Sequence, residues 1–140
     1  MEKINFVNGQ SPYISATNLN NLQDNVENAI NGIIESGSNA NGNYIKYVDG
    51  TMICYKRVNF GNMSIRNPWG AFYESNELDI GNFAQPFKEE PRTFIMPVNT
   101  FFIERSSNMN ETSFGSFFAT RPVASDMYIT VDCLAIGKWK

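Results

Sequence analysis

The sequence predicts a mainly β protein, an antiparallel β-sandwich preceded by one short, coiled-coil-like α-helix, and three observations carry that prediction. Beyond residue 43 the chain is a series of short β-rich runs separated by Gly, Pro and Asn. Ahead of them lies a single stretch with helical periodicity. The composition is 14% aromatic but only 18% charged, with 19 Asn, which suits turn-rich strands and contact surfaces that tolerate desolvation.

In chain order, Met1 to about Ala16 holds a short apolar stretch and then the turn signals Asn8-Gly9 and Ser11-Pro12. From Thr17 the residues Leu19, Leu22, Val26, Ala29, Ile30 and Ile33 recur at alternating spacings of three and four. They form one narrow apolar stripe opposite Asn20, Asn21, Asp24, Glu27, Asn28 and Asn31, which predicts a helix over 17–36. Ser15 or Thr17 suits the N-cap and Gly37 the stop. Such a helix spans about 30 Å. Residues 37–43, Gly-Ser-Asn-Ala-Asn-Gly-Asn, read as a flexible linker. A helix set apart by a linker has little domain surface to lie on, so Leu19, Leu22, Val26, Ala29 and Ile33 are read as an oligomerisation seam.

Residues 44–140 read as the β domain. Tyr44–Val48 and Thr51–Val58, joined by Asp49-Gly50, give a strong hairpin signal. Further strands are expected at Trp69–Glu74, Arg92–Val98, Thr100–Glu104, Ser113–Thr120 and Met127–Ile136. In the last of these Met127, Ile129, Val131, Cys133 and Ala135 share one face. Phe101-Phe102-Ile103 and Phe117-Phe118-Ala119 are apolar on both faces. A sandwich of this size has one inner face per sheet, so the surplus apolar positions call for a subunit interface.

The same numbers exclude several functions. Net charge is -3, and no Lys/Arg cluster offers a footprint for nucleic acid. The apolar runs are only a few residues long, too short for a transmembrane helix. MEKINFVNGQ lacks the apolar core of a signal peptide, so synthesis in a cytoplasm is expected. There is no His, which removes the usual nucleophile–imidazole pairs and imidazole metal ligands. With only Cys54 and Cys133 besides, both in strand-like stretches, buried free thiols are expected and neither a metal nor a cofactor is. Carboxylates alone can cleave glycosides, but nothing marks two of the acids between Asp49 and Asp132 as a convergent pair, so the chain is read as a non-enzyme.

Asn5 to Ile30, with its N-G, its Pro and then S-A-T-N-L-N running into the helix, resembles a segment recurrent in tail proteins of phages of Gram-positive hosts; Ser15 stands where Asn is usual. Gly42–Tyr55 (GNYIKYVDGTMICY) resembles the first hairpin of tail-fibre head domains. Phe83-Ala-Gln-Pro-Phe87 with Pro91 resembles their F-x-x-P step, and Ala135–Lys140 their terminal strand. Such heads often resemble the H-type lectin fold. The resemblance implies a homotrimeric virion fibre protein: residues 1–16 attach to other virion proteins, 17–36 trimerise, 37–43 link and 44–140 form the head. It implies receptor binding, with a host cell-surface polysaccharide as ligand. A purely structural virion component (head fibre, collar or tail-tip protein) is the alternative.

Saccharide sites stack an aromatic ring on an apolar sugar face and reach hydroxyls with amides and guanidinium groups. The residue types that fit are Trp69, first, with Tyr73, Arg66 and Asn67, and then Arg105 and Asn108. A Trp beside a Pro is as well explained by core packing. Trp139, next to the last residue, is read as a structural plug.

Overall fold

The computed structural model describes residues 16–140. The attachment segment expected over 1–16, and the Ser15 cap, lie outside these residues but for Ala16. Helix α1 spans Ala16–Asn31 and ends five residues before the expected stop at residue 36. Gly32 ends it, with a φ of 63° that only glycine adopts without strain. Residues 33–36 are therefore not helical, which corrects the 17–36 expectation and removes Ile33 from the helical seam. Leu19, Leu22, Val26 and Ala29 remain on α1, and all four are exposed in the single chain.

The linker expectation is also corrected. Strand β1, Ile33–Asn39, pairs antiparallel with β2, Gly42–Tyr47, so residues 37–43 belong to a hairpin. Its strands read as a linker because they carry little apolar content, and the pairing rests on backbone bonds that small polar residues permit. The Asn41 N–H donates to Asn39 Oδ1 at 2.9 Å, shaping the turn, and Asn39 Nδ2 donates to the Ala84 carbonyl at 2.7 Å, pinning it to the body. At Gly42 a Cβ would stand 2.8 Å from both Lys56 Cβ and the Tyr55 carbonyl, so the close approach of this turn to the next strand requires glycine.

The chain turns back at Asp49-Gly50, where Asp49 Oδ1 accepts from the Thr51 N–H at 2.7 Å. Strand β3, Thr51–Ile65, follows, far longer than its expected eight residues. The elements after it are β4 (Asn67–Trp69), β5 (Phe72–Glu74), β6 (Leu78–Asp79), β7 (Arg92–Pro97), β8 (Ile103–Ser107), β9 (Ser116–Arg121) and β10 (Ser125–Lys138). The expected Trp69–Glu74 strand is thus a small hairpin, broken by Gly70-Ala71. The first sheet has the order β1-β2-β3-β10-β7, with every pair antiparallel. In the second, β9 pairs with β8 along its length and with β5 and β6 in succession, while β4 flanks β5. Between β5 and β6 the buried Ser75 replaces a strand pair: its N–H donates to the Ala119 carbonyl, and its Oγ accepts from the Ala119 N–H, both at 3.0 Å.

Alternation sends Met52 and Cys54 of β3, with Ile129, Val131, Cys133 and Ala135 of β10, to one side. Phe117 and Ala119 of β9 meet them, so the two sheets share one core. Phe117 lies edge-on to Phe60 at 5.6 Å and stacked with Phe102 at 5.8 Å. The loop between β6 and β7 closes one end: Phe83 packs against Phe87 at 4.9 Å and against Phe114 at 4.4 Å. Trp139 packs on the core and donates its indole N–H to the Tyr47 carbonyl at 3.1 Å, which accounts for it as a plug. Both cysteines are free and buried, and burial pushes the Cys133 thiol up to about 12.

The two outer faces differ. On the first sheet, Tyr55, Phe94, Met96, Tyr128 and Ile136 are exposed around a bidentate Arg57–Asp132 pair at 2.7 and 2.8 Å. The outer face of the second sheet carries the polar and aromatic side chains taken up below. Because Phe117 is fully buried where the sheets meet, Phe117→Ala is expected to lower stability by about 3–5 kcal/mol, measured by urea unfolding of the purified chain.

Candidate functional site

In β9, Phe117 and Ala119 face the core, and Ser116, Phe118 and Thr120 lie on the other side of the sheet, where Ser116 and Thr120 are buried and Phe118 is half-buried. Residues directly opposite them share that outward face. On one side these are Ile103, Arg105 and Ser107 of β8, and on the other Glu74 of β5. Asn67 pairs with Glu74 and Trp69 with Phe72, so β4 extends the same surface. Residues far apart in sequence thus form one pavement because three antiparallel pairings hold their registers in step.

At its centre lies Arg105. Its guanidinium sits 4.1 Å from the Phe118 ring centroid and 5.2 Å from that of Trp69, and Nη2 donates to Glu74 Oε2 at 2.9 Å. The guanidinium plane is therefore fixed by two rings and a carboxylate, while its Nε is buried with no partner. Trp69 stands at the edge of this arrangement, 47% exposed. One end of the patch is built on Glu77. Its Oε1 accepts from Ser116 Oγ in a short hydrogen bond, from Asn108 Nδ2 at 3.1 Å and from Ser107 Oγ at 3.2 Å. These hydroxyl and amide donors, Ser116 foremost, hold the Glu77 carboxyl below its ordinary value. Asn108 adopts a φ of 60° there, one of two positive-φ residues other than glycine among the described residues.

Of the six residues singled out from sequence, Trp69, Asn67, Arg105 and Asn108 fall on this surface. Asn67 donates to Asn76 Oδ1 at 3.0 Å. Tyr73 does not join them: it is half-buried and packs against the core from the other face of β5. Arg66 sits apart as well, donating to Asp126 Oδ1 at 3.0 Å across β3 and β10. Sequence reasoning missed Glu74, Glu77, Phe118 and Ser116. Phe118 was visible as one of the surplus apolar positions, but nothing local ties it or the two glutamates to Arg105.

The arrangement offers a half-exposed indole, a fixed guanidinium, two amides and two carboxylates within one face. Such a set holds a ring against its apolar side and satisfies hydroxyls around the rim. Among the described residues no group of His, Cys, Asp and Glu has the disposition of a metal site, and no helix is long and apolar enough to cross a membrane.

No protein-family model matches the chain, and no curated protein matches it. Two solved structures are similar. The N-truncated R1-type pyocin tail fibre is 16% identical with a TM-score of 0.45, over 81% of this chain and 94% of that one. The P. aeruginosa R1 pyocin fibre comprising C-terminal residues 323–701 is 14% identical with a TM-score of 0.43. That match takes in 98% of this chain but only 41% of the pyocin fibre chain.

The lowered Glu77 carboxyl makes a pH prediction. A depressed folded-state value contributes stability that is present above the unfolded carboxyl range and is lost as pH falls through the folded value. Glu77→Gln is therefore expected to flatten the loss of thermal stability below about pH 4, measured as Tm against pH beside the unsubstituted chain.

Proposed function

We propose that the chain is a fibre protein of a bacteriophage virion, a displayed homotrimer that recognises a host cell-surface saccharide. In this reading residues 44–140 form a β-sandwich head, of the kind the H-type lectin resemblance implies. The leading segment meets other virion proteins, and a host of the Gram-positive type fits the opening motif. The observation that carries the binding reading is the Trp69 indole, half-exposed on the second sheet's outer face beside a guanidinium that two rings and Glu74 already hold in place. An aromatic platform with a pre-set polar rim loses little side-chain entropy when a sugar settles on it. Recognition of this kind needs no cofactor.

The carboxylates support binding over catalysis. A glycosidase acid is a carboxyl whose value is raised beside a second carboxylate. Glu77 is shifted the other way and is occupied by three donors. Glu104, which burial raises, lies on the opposite side of β8 from Arg105, away from Glu74 and Glu77.

Trimerisation is supported by the two unburied apolar surfaces, the α1 stripe and the outer face of the first sheet. Arg57 and Asp132 neutralise each other at its centre, and the exposed Arg92 stands at the end of the edge strand, so covering the centre strands no charge. The same surface gives weight to a second reading, a structural virion component that binds only other virion proteins through it.

Trp69→Ala is expected to weaken binding to an array of bacterial surface saccharides at least tenfold while the fold is unchanged by circular dichroism. Binding unchanged in that variant removes the patch as the receptor site. Light scattering is expected to give a solution mass near three subunits, and a monomer in the Phe94→Asp, Met96→Asp double variant. A monomeric parent chain sinks the trimer.

A further inference from the structure

β3 runs on past the end of its partner. β2 pairs with it only from Met52 to Tyr55, so beyond Tyr55 that edge of β3 has no neighbouring strand. The β1–β2 turn and the loop at Ile80-Gly81 stand on either side of the gap, leaving a cleft of about 520 Å³. Asn39, Asn41, Asn43 and Asn59 line it with Lys56 and Arg57, and Val58 and Ile80 add aliphatic surface. No carboxylate lines it.

The walls are fixed without any ligand. Asn39 is used up on both sides, by the Asn41 N–H and the Ala84 carbonyl. Lys56 Nζ donates to the Ile80 carbonyl at 2.6 Å and to the Asn82 carbonyl at 3.0 Å, lashing the loop to β3. Gly42 lets the turn close on Lys56. Arg57 is neutralised by Asp132, whereas Lys56 keeps its charge but is turned onto the two loop carbonyls. What is left to bind is amide chemistry. The Asn41 side chain is exposed, Asn43 has only a long 3.5 Å bond to the Tyr55 carbonyl, and Asn59 retains a second amide hydrogen beyond its bond to Tyr128.

We propose that this cleft is a second binding site, for a hydroxyl-rich glycan segment. A planar amide offers a donor and an acceptor side by side, which matches two neighbouring hydroxyls, and the part of Val58 left open beside the buried Ile80 meets the C–H face of the ring. A peptide strand is the other occupant an open edge invites. Here the edge is irregular: Asn59 Oδ1 accepts from the Gly61 N–H at 2.9 Å and the β3–β10 register slips there, a bulge that leaves an added strand only a few regular residues of the open edge to pair with. The site lies outside the Trp69 surface. It rests on the reading of the protein as a saccharide binder, and gives it two contacts per subunit.

The test is titration of the isotope-labelled full chain with glucose, galactose and N-acetylglucosamine in turn, and with an extended octapeptide of mixed sequence, read by amide NMR shifts. Saturable shifts at Asn41, Asn43, Arg57 and Gly81 with a sugar, and a loss of apparent affinity of about tenfold in the Asn41→Ala, Asn43→Ala double variant, are expected. The amide spectrum of that variant also reports that it is folded. Shifts confined to the Trp69 and Arg105 surface overturn the cleft proposal and leave the saccharide-binding reading standing. A response to the peptide alone overturns it in favour of strand addition. Silence at both surfaces with every sugar removes the cleft and the saccharide reading together.

Discussion

β3 and β10 run side by side over fourteen residue pairs, from Ser125 opposite Ile65 to Lys138 opposite Thr51, and the register of that one ladder decides what every other element meets. It turns Met52 and Cys54 inward together with Val131, Cys133 and Ala135, and turns Tyr55, Leu134 and Ile136 outward. A slip of one residue would exchange the two sets and empty the core. The slip is prevented by packing from both edges: β2 extends the ladder at Met52–Tyr55 and β7 at Val131–Ile136. Between Ile129 and Thr130 the register does shift, at Asn59–Gly61, and the bulge lets the inward face continue to Ile129 and Ile65, both fully buried.

The second sheet is built on short strands that would not hold alone. β4 and β5 have three residues each and β6 has two, so their stability comes from lying on β9 rather than from their own ladders. Buried Ser75 lets β5 pass into β6 without leaving Ala119 unpaired. The consequence for the outer face is direct. Trp69 and Asn67 are held in place through β5, while Arg105 and Ser107 are held through β8, and the two groups meet only because both strands take their register from β9.

Legibility in the sequence followed the strength of the local signal. The alternation from Met127 to Ala135 reads directly as a half-buried strand, and it is one. Asp49-Gly50 reads as a hairpin because the turn chemistry is local, and the Asp49 carboxylate caps Thr51 as that chemistry requires. The β1–β2 hairpin was hidden because Ser-Gly-Ser-Asn has the composition of a linker; its pairing is with backbone atoms, and its anchor, Ala84, lies 45 residues on. The helix end was misplaced because the stripe runs through to Ile33 while the stop, Gly32, sits one residue before it. Residue types suited to a sugar were visible as Trp69, Asn67, Arg105 and Asn108. That Tyr73 and Arg66 do not join them was not visible, since each is decided by which way one strand faces at one position.

The two outer faces make opposite physical demands, and this bears on which of them a partner can cover. The first sheet's face is apolar around one internally neutralised ion pair, with Arg92 at the end of its edge strand, so a partner can cover its centre without stranding a charge. On the second sheet's face, Arg105 is ionised and half-exposed, and its Nε is already buried without a partner. Covering that face with an apolar partner would add the cost of desolvating the guanidinium and Glu77 to an unmet donor. A hydroxyl-bearing ligand brings acceptors and donors of its own and avoids that cost. In the cleft beside β3, Arg57 is paired with Asp132 and Lys56 is turned onto two loop carbonyls, so the exposed amides are the groups left open. Under the proposed function, self-association through the first sheet with ligand contact through the second and the cleft is the division of surfaces that leaves few polar groups unsatisfied.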